Sequence, residues 1–297
     1  MYNIKEAATR SGVRVPTLRA WERRYGVVTP ARTSAGYRLY DEAAIDRLRR
    51  MRALLGAGWR PREAAAEVLR GEPTGERAGS EAASTTDGGI NRPELGALVD
   101  RLVGAAAGFD SNELSAVLDE THSRVSFEAA MEQVVFPALR EIGRGWEAGR
   151  ISVAAEHAFA NTVQRRLSIL YEAARWPGDR VEVVIGLPAG ARHELGALAF
   201  AVALRRLGPD TLYLGADVPL ESWVKSLRQT SARLAVIGAI TPADVDAARA
   251  LVEAIRRQLP DVTCLVGGDA AASLADIAHV LPGSLAEDAK VAYGLTG

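Results

Sequence analysis

The sequence predicts a multidomain chain of α and α/β class, in which a winged helix-turn-helix head, a four-helix bundle and a doubly wound parallel sheet follow one another. Three observations carry this expectation. A basic pair of helical segments joined through a glycine opens the chain; a stretch rich in Gly, Ser, Thr and Ala near residues 71–93 interrupts all apolar periodicity; and beyond Pro177-Gly178 helical spacing gives way to short β-rich runs alternating with helical ones. A length of 297 residues gives room for two or three domains.

The head is read first because its charge sets it apart. Residues 1–72 carry Lys5 and fourteen arginines against about half as many acids, so the overall net charge of −1 conceals a basic head and an acidic remainder. Ile4-Lys5-Glu6-Ala7-Ala8 opens a short helix, Ser11-Gly12-Val13 turns it, and Pro16 stands at the start of a second helix that runs on through Arg24. The second helix presents Thr17, Arg19, Arg23 and Arg24 beside Trp21 and Tyr25. The glycine-tipped run Pro30-Ala31-Arg32-Thr33-Ser34-Ala35-Gly36-Tyr37-Arg38-Leu39-Tyr40 suits a small wing. Asp41 caps a helix through Leu55, and Arg60-Pro61-Arg62-Glu63 starts another. Leu18, Trp21 and Leu39 are expected to pack in the core.

Residues 73–93 read as a flexible linker. From 94 to 177 apolar residues recur at helical spacing near 94–107, 111–124, 126–148 and 152–176, with breaks at Gly108, Ser126 and Gly149, which predicts a four-helix bundle. In the last segment, residues 178–297, the β-rich runs are Val181–Leu187, Thr211–Leu214, Leu234–Ile240 and Val262–Val266. Helical runs near 194–207, 219–229, 243–258 and 285–293 alternate with them, the grammar of a parallel sheet wound on both faces. Ligands in such sheets lie beyond the carboxyl ends of the strands, which directs attention to Leu187-Pro188-Ala189-Gly190-Ala191-Arg192-His193-Glu194-Leu195-Gly196. That loop has neither a dinucleotide glycine fingerprint nor a Walker lysine.

Composition excludes several classes. With 25% charged and 48% hydrophobic residues the chain is globular rather than disordered. Its single cysteine, Cys264, and four histidines cannot build a Cys-rich zinc cage or an intramolecular disulfide. The longest apolar run, Leu195 to Leu204, is about half the ~20 residues of a membrane span, and the amino-terminal residues lack a signal-peptide core. A cytoplasmic protein that engages no membrane is expected.

The run SGVRVPTLRAWERRYGVVTPARTSAGYRLYDEAAIDRL resembles the DNA-binding domain of MerR-type transcription regulators, whose TLR-x-[WY]-E and GYR-x-Y elements stand at Thr17–Glu22 and Gly36–Tyr40. The resemblance implies that residues 1–72 bind operator DNA through Arg14, Thr17, Arg19, Arg24, Tyr37 and Arg38. His193-x-x-Gly196, Tyr213-Leu214-Gly215-Ala216-Asp217-Val218-Pro219 and Gly267-Gly268 together are similar to a Rossmann-like cobalamin-binding domain. It implies His193 as the lower axial ligand of cobalt, with Gly196, Gly215, Gly267 and Gly268 lining the channel for the nucleotide tail. Many members carry Asp two residues before that histidine, where this chain has Ala191; many also carry Ser-x-Leu where it has Gly238-Ala239-Ile240-Thr241.

Trp146 and the pair Glu156-His157 complete a spacing that resembles the W-x9-E-H signature of CarH/LitR-type cobalamin-dependent photoreceptors. What that resemblance implies is a non-enzymatic, light-responsive repressor with adenosylcobalamin as chromophore. Its dark form is a homotetramer on operator DNA, and light cleaves the cobalt–carbon bond and yields a smaller species. Trp146 would pack on the adenosyl group, Glu156 would accept from its ribose hydroxyls, and His157 would take the upper axial position after photolysis. The resemblance places the protein at the bacterial nucleoid. A MerR-type regulator that senses another cobalamin form, haem or a protein partner stays open as an alternative. A cobalamin-dependent mutase or methyltransferase would need a substrate domain for which the chain leaves no room. His122 and His279 match no motif and are read as structural.

Overall fold

The computed structural model describes residues 2–13, 15–32, 38–56, 61–70, 90–174 and 180–296. The chain forms two compact units, Met1–Ala83 and Ser84–Gly297.

In the first unit α1 (Ile4–Ser11), α2 (Val15–Tyr25), α3 (Glu42–Gly56) and α4 (Pro61–Arg70) pack on one another, and a two-stranded antiparallel wing, β1 (Ala31–Arg32) and β2 (Arg38–Leu39), lies between α2 and α3 in the chain. The Asn3 side chain accepts from the Lys5 and Glu6 amides, and Glu6 returns the bond to the Asn3 N–H, a capping box that starts α1. Gly12 ends it at φ +68°, the left-handed conformation that glycine adopts without the strain a side chain would bring. Asp41 accepts from the Ala44 amide at 2.7 Å and so caps α3. Leu18, Trp21, Val27, Tyr40, Ile45, Leu48, Met51 and Val68 form the core, while Leu39 is half-buried.

The second unit opens with an antiparallel bundle: α5 (Arg92–Ala107), α6 (Ser111–Arg124), a continuous helical stretch from α7 (Phe127–Ala130) through a π-turn (Met131–Val135) into α8 (Phe136–Glu147), and α9 (Val153–Ala173). One sequence expectation needs correction here. The linker does not reach residue 93: Ile90 is buried, Asn91 and Glu94 exchange capping bonds, and Arg92 and Pro93 already lie in the first turn of α5. Pro93 is a helix starter, not linker punctuation; the remainder of the segment, residues 73–89, lies outside the described residues. The third bundle helix is also not uniformly α. Pro137 has no amide to donate back into the preceding turn, and the helix widens to π spacing just before it.

After the bundle come β3 (Val183–Pro188), α10 (Leu195–Leu207), β4 (Thr211–Val218), α11 (Leu220–Thr230), β5 (Leu234–Gly238), α12 (Val245–Gln258), β6 (Thr263–Gly267), β7 (His279–Val280) and α13 (Leu285–Gly294). The strands form a five-stranded, all-parallel sheet in the order β4-β3-β5-β6-β7. Every residue of β3 and β5 is buried, as central strands covered on both faces require. On one face Val184, Ala235, Ile237, Cys264 and Val266 meet Trp223, Val224 and Leu227 of α11 and Leu251, Val252 and Ile255 of α12. The other face is covered by α10, on which α9 and α13 pack. Burial pushes the Cys264 thiol up to about 11, which keeps it in the inert protonated form. Among the described residues no helix is long and apolar enough to cross a membrane.

Candidate functional site

In the head, the exposed Arg19, Arg23 and Arg24 and the half-buried Thr17 lie along α2, the second helix of the helix-turn-helix. Arg14 and Tyr37 lie outside the described residues. Arg38 has a partner within the chain: its Nε–H is shared between both carboxylate oxygens of Glu22, each at 3.0 Å, and the Tyr40 hydroxyl donates to the same group at 3.4 Å. Burial and then the Glu22 charge push the Tyr40 phenol up to about 12. The two sequence elements Thr17–Glu22 and Gly36–Tyr40 are therefore tied together through Glu22, which fixes the wing strand against α2. Sequence reading assigned Arg38 to the DNA backbone and passed over Glu22, although a carboxylate in an arginine-rich surface was itself a signal.

In the second unit the order of the strands reverses between β3 and β5, and the crevice beyond their carboxyl ends is where parallel sheets of this kind bind ligands. His193 stands there, exposed, in the loop between β3 and α10. The loop is held from β4 on its early side: the Gly190 amide donates to Asp217 Oδ1 at 2.7 Å, and the Asp217 amide donates to the Ala191 carbonyl at 2.9 Å. Asp217 makes both bonds from a left-handed backbone, φ +54°, a conformation that Asp tolerates better than most residues. On the late side, Glu194 Oε1 accepts from Gln164 Nε2 of α9 at 2.6 Å, and Glu194 Oε2 accepts from the Tyr213 hydroxyl of β4 at 2.7 Å. Burial, reinforced by the Glu194 carboxylate, drives the Tyr213 phenol far above its ordinary range, so it acts only as a donor.

The glycines divide into two kinds. A Cβ on Gly196 would meet nothing within 4 Å, and one on Gly215, at φ +84°, would come only to 3.5 Å from Glu194 Oε2. These positions leave room beside the loop. Gly267 and Gly268 are instead close-packed: a Cβ would lie 3.1 Å from Leu281 Cδ1 in the first case and 2.5 Å from the Ala239 carbonyl oxygen in the second. Packing within the chain requires glycine at Gly268, which also stands at φ +111°, and leaves little space at Gly267.

On the bundle, the turn between α8 and α9 brings Trp146 and Glu156 to the same end. The Gly145 carbonyl accepts from the Arg150 and Ile151 amides, Gly149 supplies a left-handed residue, and Ser152 caps α9 at the Ala155 amide. Trp146 is 48% exposed, unusual for an indole beside a packed core. Glu156 Oε2 is hydrogen-bonded to Nδ1 of the exposed His157. A carboxylate on Nδ1 favours the tautomer whose lone pair sits on Nε2, the form in which imidazole ligates a metal. Sequence reading missed Gln164 and Tyr171, and quoted Glu194, Tyr213 and Asp217 within motifs without giving them a role. The one available signal was the seven-residue spacing of His157, Gln164 and Tyr171 along one side of α9.

The donor set fits a corrinoid better than a caged ion. Among the described residues no three His, Cys, Asp or Glu side chains cluster around a common point. A macrocycle that brings its own nitrogen donors would need from the protein one imidazole, for which the exposed His193 is available, and room beside it, for which Gly196 and Gly215 are available.

Fold and site define a class: a winged helix-turn-helix head in one chain with a helical bundle and a parallel sheet built to hold a corrinoid. Comparison with known sequences gives the family. Residues 2–71 match the MerR HTH family regulatory proteins, and residues 98–171 and 181–283 match two families described as B12 binding domains. The HTH-type transcriptional repressor CarH of Myxococcus xanthus is 35% identical, over 92% of this chain and 90% of that protein. CarA of the same organism is 30% identical over 89% and 85%. The chain belongs to this family of MerR-type transcription regulators with B12-binding domains. Among solved structures, the monomethylamine corrinoid protein of Methanosarcina barkeri superposes with a TM-score of 0.56 at 18% identity, over 67% of this chain and 99% of that one, a likeness of fold.

Proposed function

We propose that the protein is a light-responsive transcriptional repressor and not an enzyme, and that its chromophore is adenosylcobalamin. It acts in the bacterial cytoplasm, at the nucleoid, and binds operator DNA as a homotetramer in the dark. The observation that carries this reading is the exposed His193 at the strand-order reversal of the sheet, beside open glycines, in a chain whose head is a helix-turn-helix.

When bound, adenosylcobalamin supplies a cobalt–carbon bond that visible light breaks. The chain's residues hold and read out that group. His193 would hold the cobalt from below, Gly196 and Gly215 would leave room for the nucleotide tail, and Gly267 and Gly268, packed on Leu281 and Ala239, would line its path. The exposed indole of Trp146 covers the adenosyl group, and Glu156 accepts from its ribose hydroxyls. His157, whose Nδ1 is held by Glu156, would supply its Nε2 as the nitrogen donor on the upper side. In the head, Arg14, Thr17, Arg19, Arg24 and Tyr37 contact DNA, and Arg38 does so from the geometry that Glu22 imposes. Tetramer and operator are coupled by avidity: heads held in one assembly bind jointly, and dispersal removes that advantage.

The test is an absorption spectrum of the protein loaded with adenosylcobalamin, before and after green light, for wild type, His193→Ala and His157→Ala. The proposal expects a dark spectrum that His193→Ala converts to the base-off form, and a photoproduct whose spectrum changes in His157→Ala. A photoproduct identical in wild type and His157→Ala removes the upper-ligand role. A His193→Ala spectrum equal to that of wild type removes the axial assignment.

A further inference from the structure

The loop that carries His193 has no carboxylate at residue 191, where the buried Ala191 offers no hydrogen-bonding group. Its order comes from elsewhere. Glu194, next to the histidine, stands at the N-terminal edge of α10, where an acidic side chain would ordinarily cap the free amides of the first turn; here it makes no capping bond. Both of its oxygens turn outward, one to Gln164 of α9 and one to Tyr213 of β4.

Tyr213 is itself held by the same bundle helix, because its amide donates to the Tyr171 hydroxyl at 3.0 Å. Tyr171 in turn donates to the Thr211 carbonyl at 2.7 Å, and the Arg205 guanidinium lies 3.7 Å over its ring while bonding the Tyr171 and Thr211 carbonyls. That end of the contact is buried. Gln164 lies between it and the upper-face pair: it is seven residues from His157 and seven from Tyr171, roughly 10 Å along the helix axis in each direction. One face of α9 thus carries Glu156-His157 at its start, the bond to Glu194 in the middle and the anchor on β4 near its end.

We propose that Gln164, Glu194 and Tyr213 form a latch through which the position of the bundle sets the loop of the lower ligand. The inference rests on His193 being that ligand. The three are positioning residues: none ligates cobalt, and their effect is to hold the loop in its binding shape before the cofactor arrives, which lowers the ordering cost of binding. A displacement of α9 pulls Gln164 from Glu194 and loosens the loop, so that events above the corrin reach the ligand below it. The latch takes over the ordering role that the absent carboxylate at residue 191 would have filled.

The test uses the full chain and the variants Gln164→Ala, Tyr213→Phe and His193→Ala, with two measurements. One is hydrogen exchange of the amides of residues 189–194 in cofactor-free protein; the other is the dissociation rate and histidine-ligated fraction of bound adenosylcobalamin. Tyr213→Phe removes one oxygen and keeps the packing, so it guards against misfolding. The latch predicts faster loop exchange in Gln164→Ala and Tyr213→Phe, with dissociation quickened about tenfold. Loop exchange and dissociation both equal to wild type in those two variants, while His193→Ala turns base-off, overturns the latch alone. An unchanged His193→Ala spectrum overturns the axial-ligand reading and with it any service of the latch to a ligand.

Discussion

Glu22 shows how a single residue can be misjudged from sequence. It lies among arginines on the helix proposed to face DNA, and by charge alone its removal should strengthen operator binding, because one repulsive carboxylate is lost. The structure argues the opposite, since Glu22 fixes both Arg38 and Tyr40 of the wing strand. The ion pair is partly exposed and contributes about 1 kcal/mol at most. Glu22→Ala is therefore expected to weaken operator binding several-fold, with cobalamin binding unchanged, when both are titrated at fixed salt; tighter DNA binding would show that charge outweighs wing geometry. At this scale the sequence was informative where a residue's role follows from its own type. Leu18 and Trp21 were legible as core, and Gly12 as the helix-turning glycine. It was uninformative where a role depends on a distant partner, as for Glu194, whose two bonds come from residues 30 positions before it and 19 after.

Among the elements, the four bundle helices and the main strands were legible because apolar spacing decides both, and their ends were not. The run at Thr211 reads as ending at Leu214, since Gly-Ala-Asp looks like a turn; β4 instead continues to Val218 through irregular pairing opposite Gly186 and Gly215. The short β7 had no signal, being two residues long and exposed. The π-turn has its own consequence. It brings Glu132 to the amide of Leu285, where the carboxylate accepts a hydrogen bond at the free amino end of α13. Nearby, Asp288 accepts from the Gly283 amide, and burial first, then the charges of Glu132 and Glu287, raise its carboxyl above the ordinary range. A raised acid favours the folded state while protonated, so this contribution is present at low pH and is lost as pH rises through the elevated value. Asp288→Asn keeps an acceptor for Gly283 and removes the charge. It should be more stable than wild type near pH 7, with the difference shrinking below about pH 4, as urea unfolding at the two pH values would show; a pH-independent difference would place the cause elsewhere.

For the whole molecule, the division of charge was the clearest message of the sequence: a basic head for a polyanion and an acidic remainder for something else. The family matches point that remainder to B12, and the residues proposed to hold it are weak signals one at a time. A lone histidine, an exposed tryptophan and an acid–histidine pair acquire meaning only when the fold puts the first beyond the strands of a parallel sheet and the others at one end of a bundle that packs against it. The central claim is that cofactor state controls assembly and, through assembly, DNA binding. Sedimentation velocity of the protein with a fluorescent operator duplex, loaded with adenosylcobalamin and run in the dark and after green light, tests this in one measurement. The account predicts a fast, tetramer-sized complex carrying the duplex in the dark, and after illumination a smaller protein species with the duplex sedimenting free. A protein that carries the duplex at the same sedimentation coefficient in the dark, after light and without cofactor would contradict it.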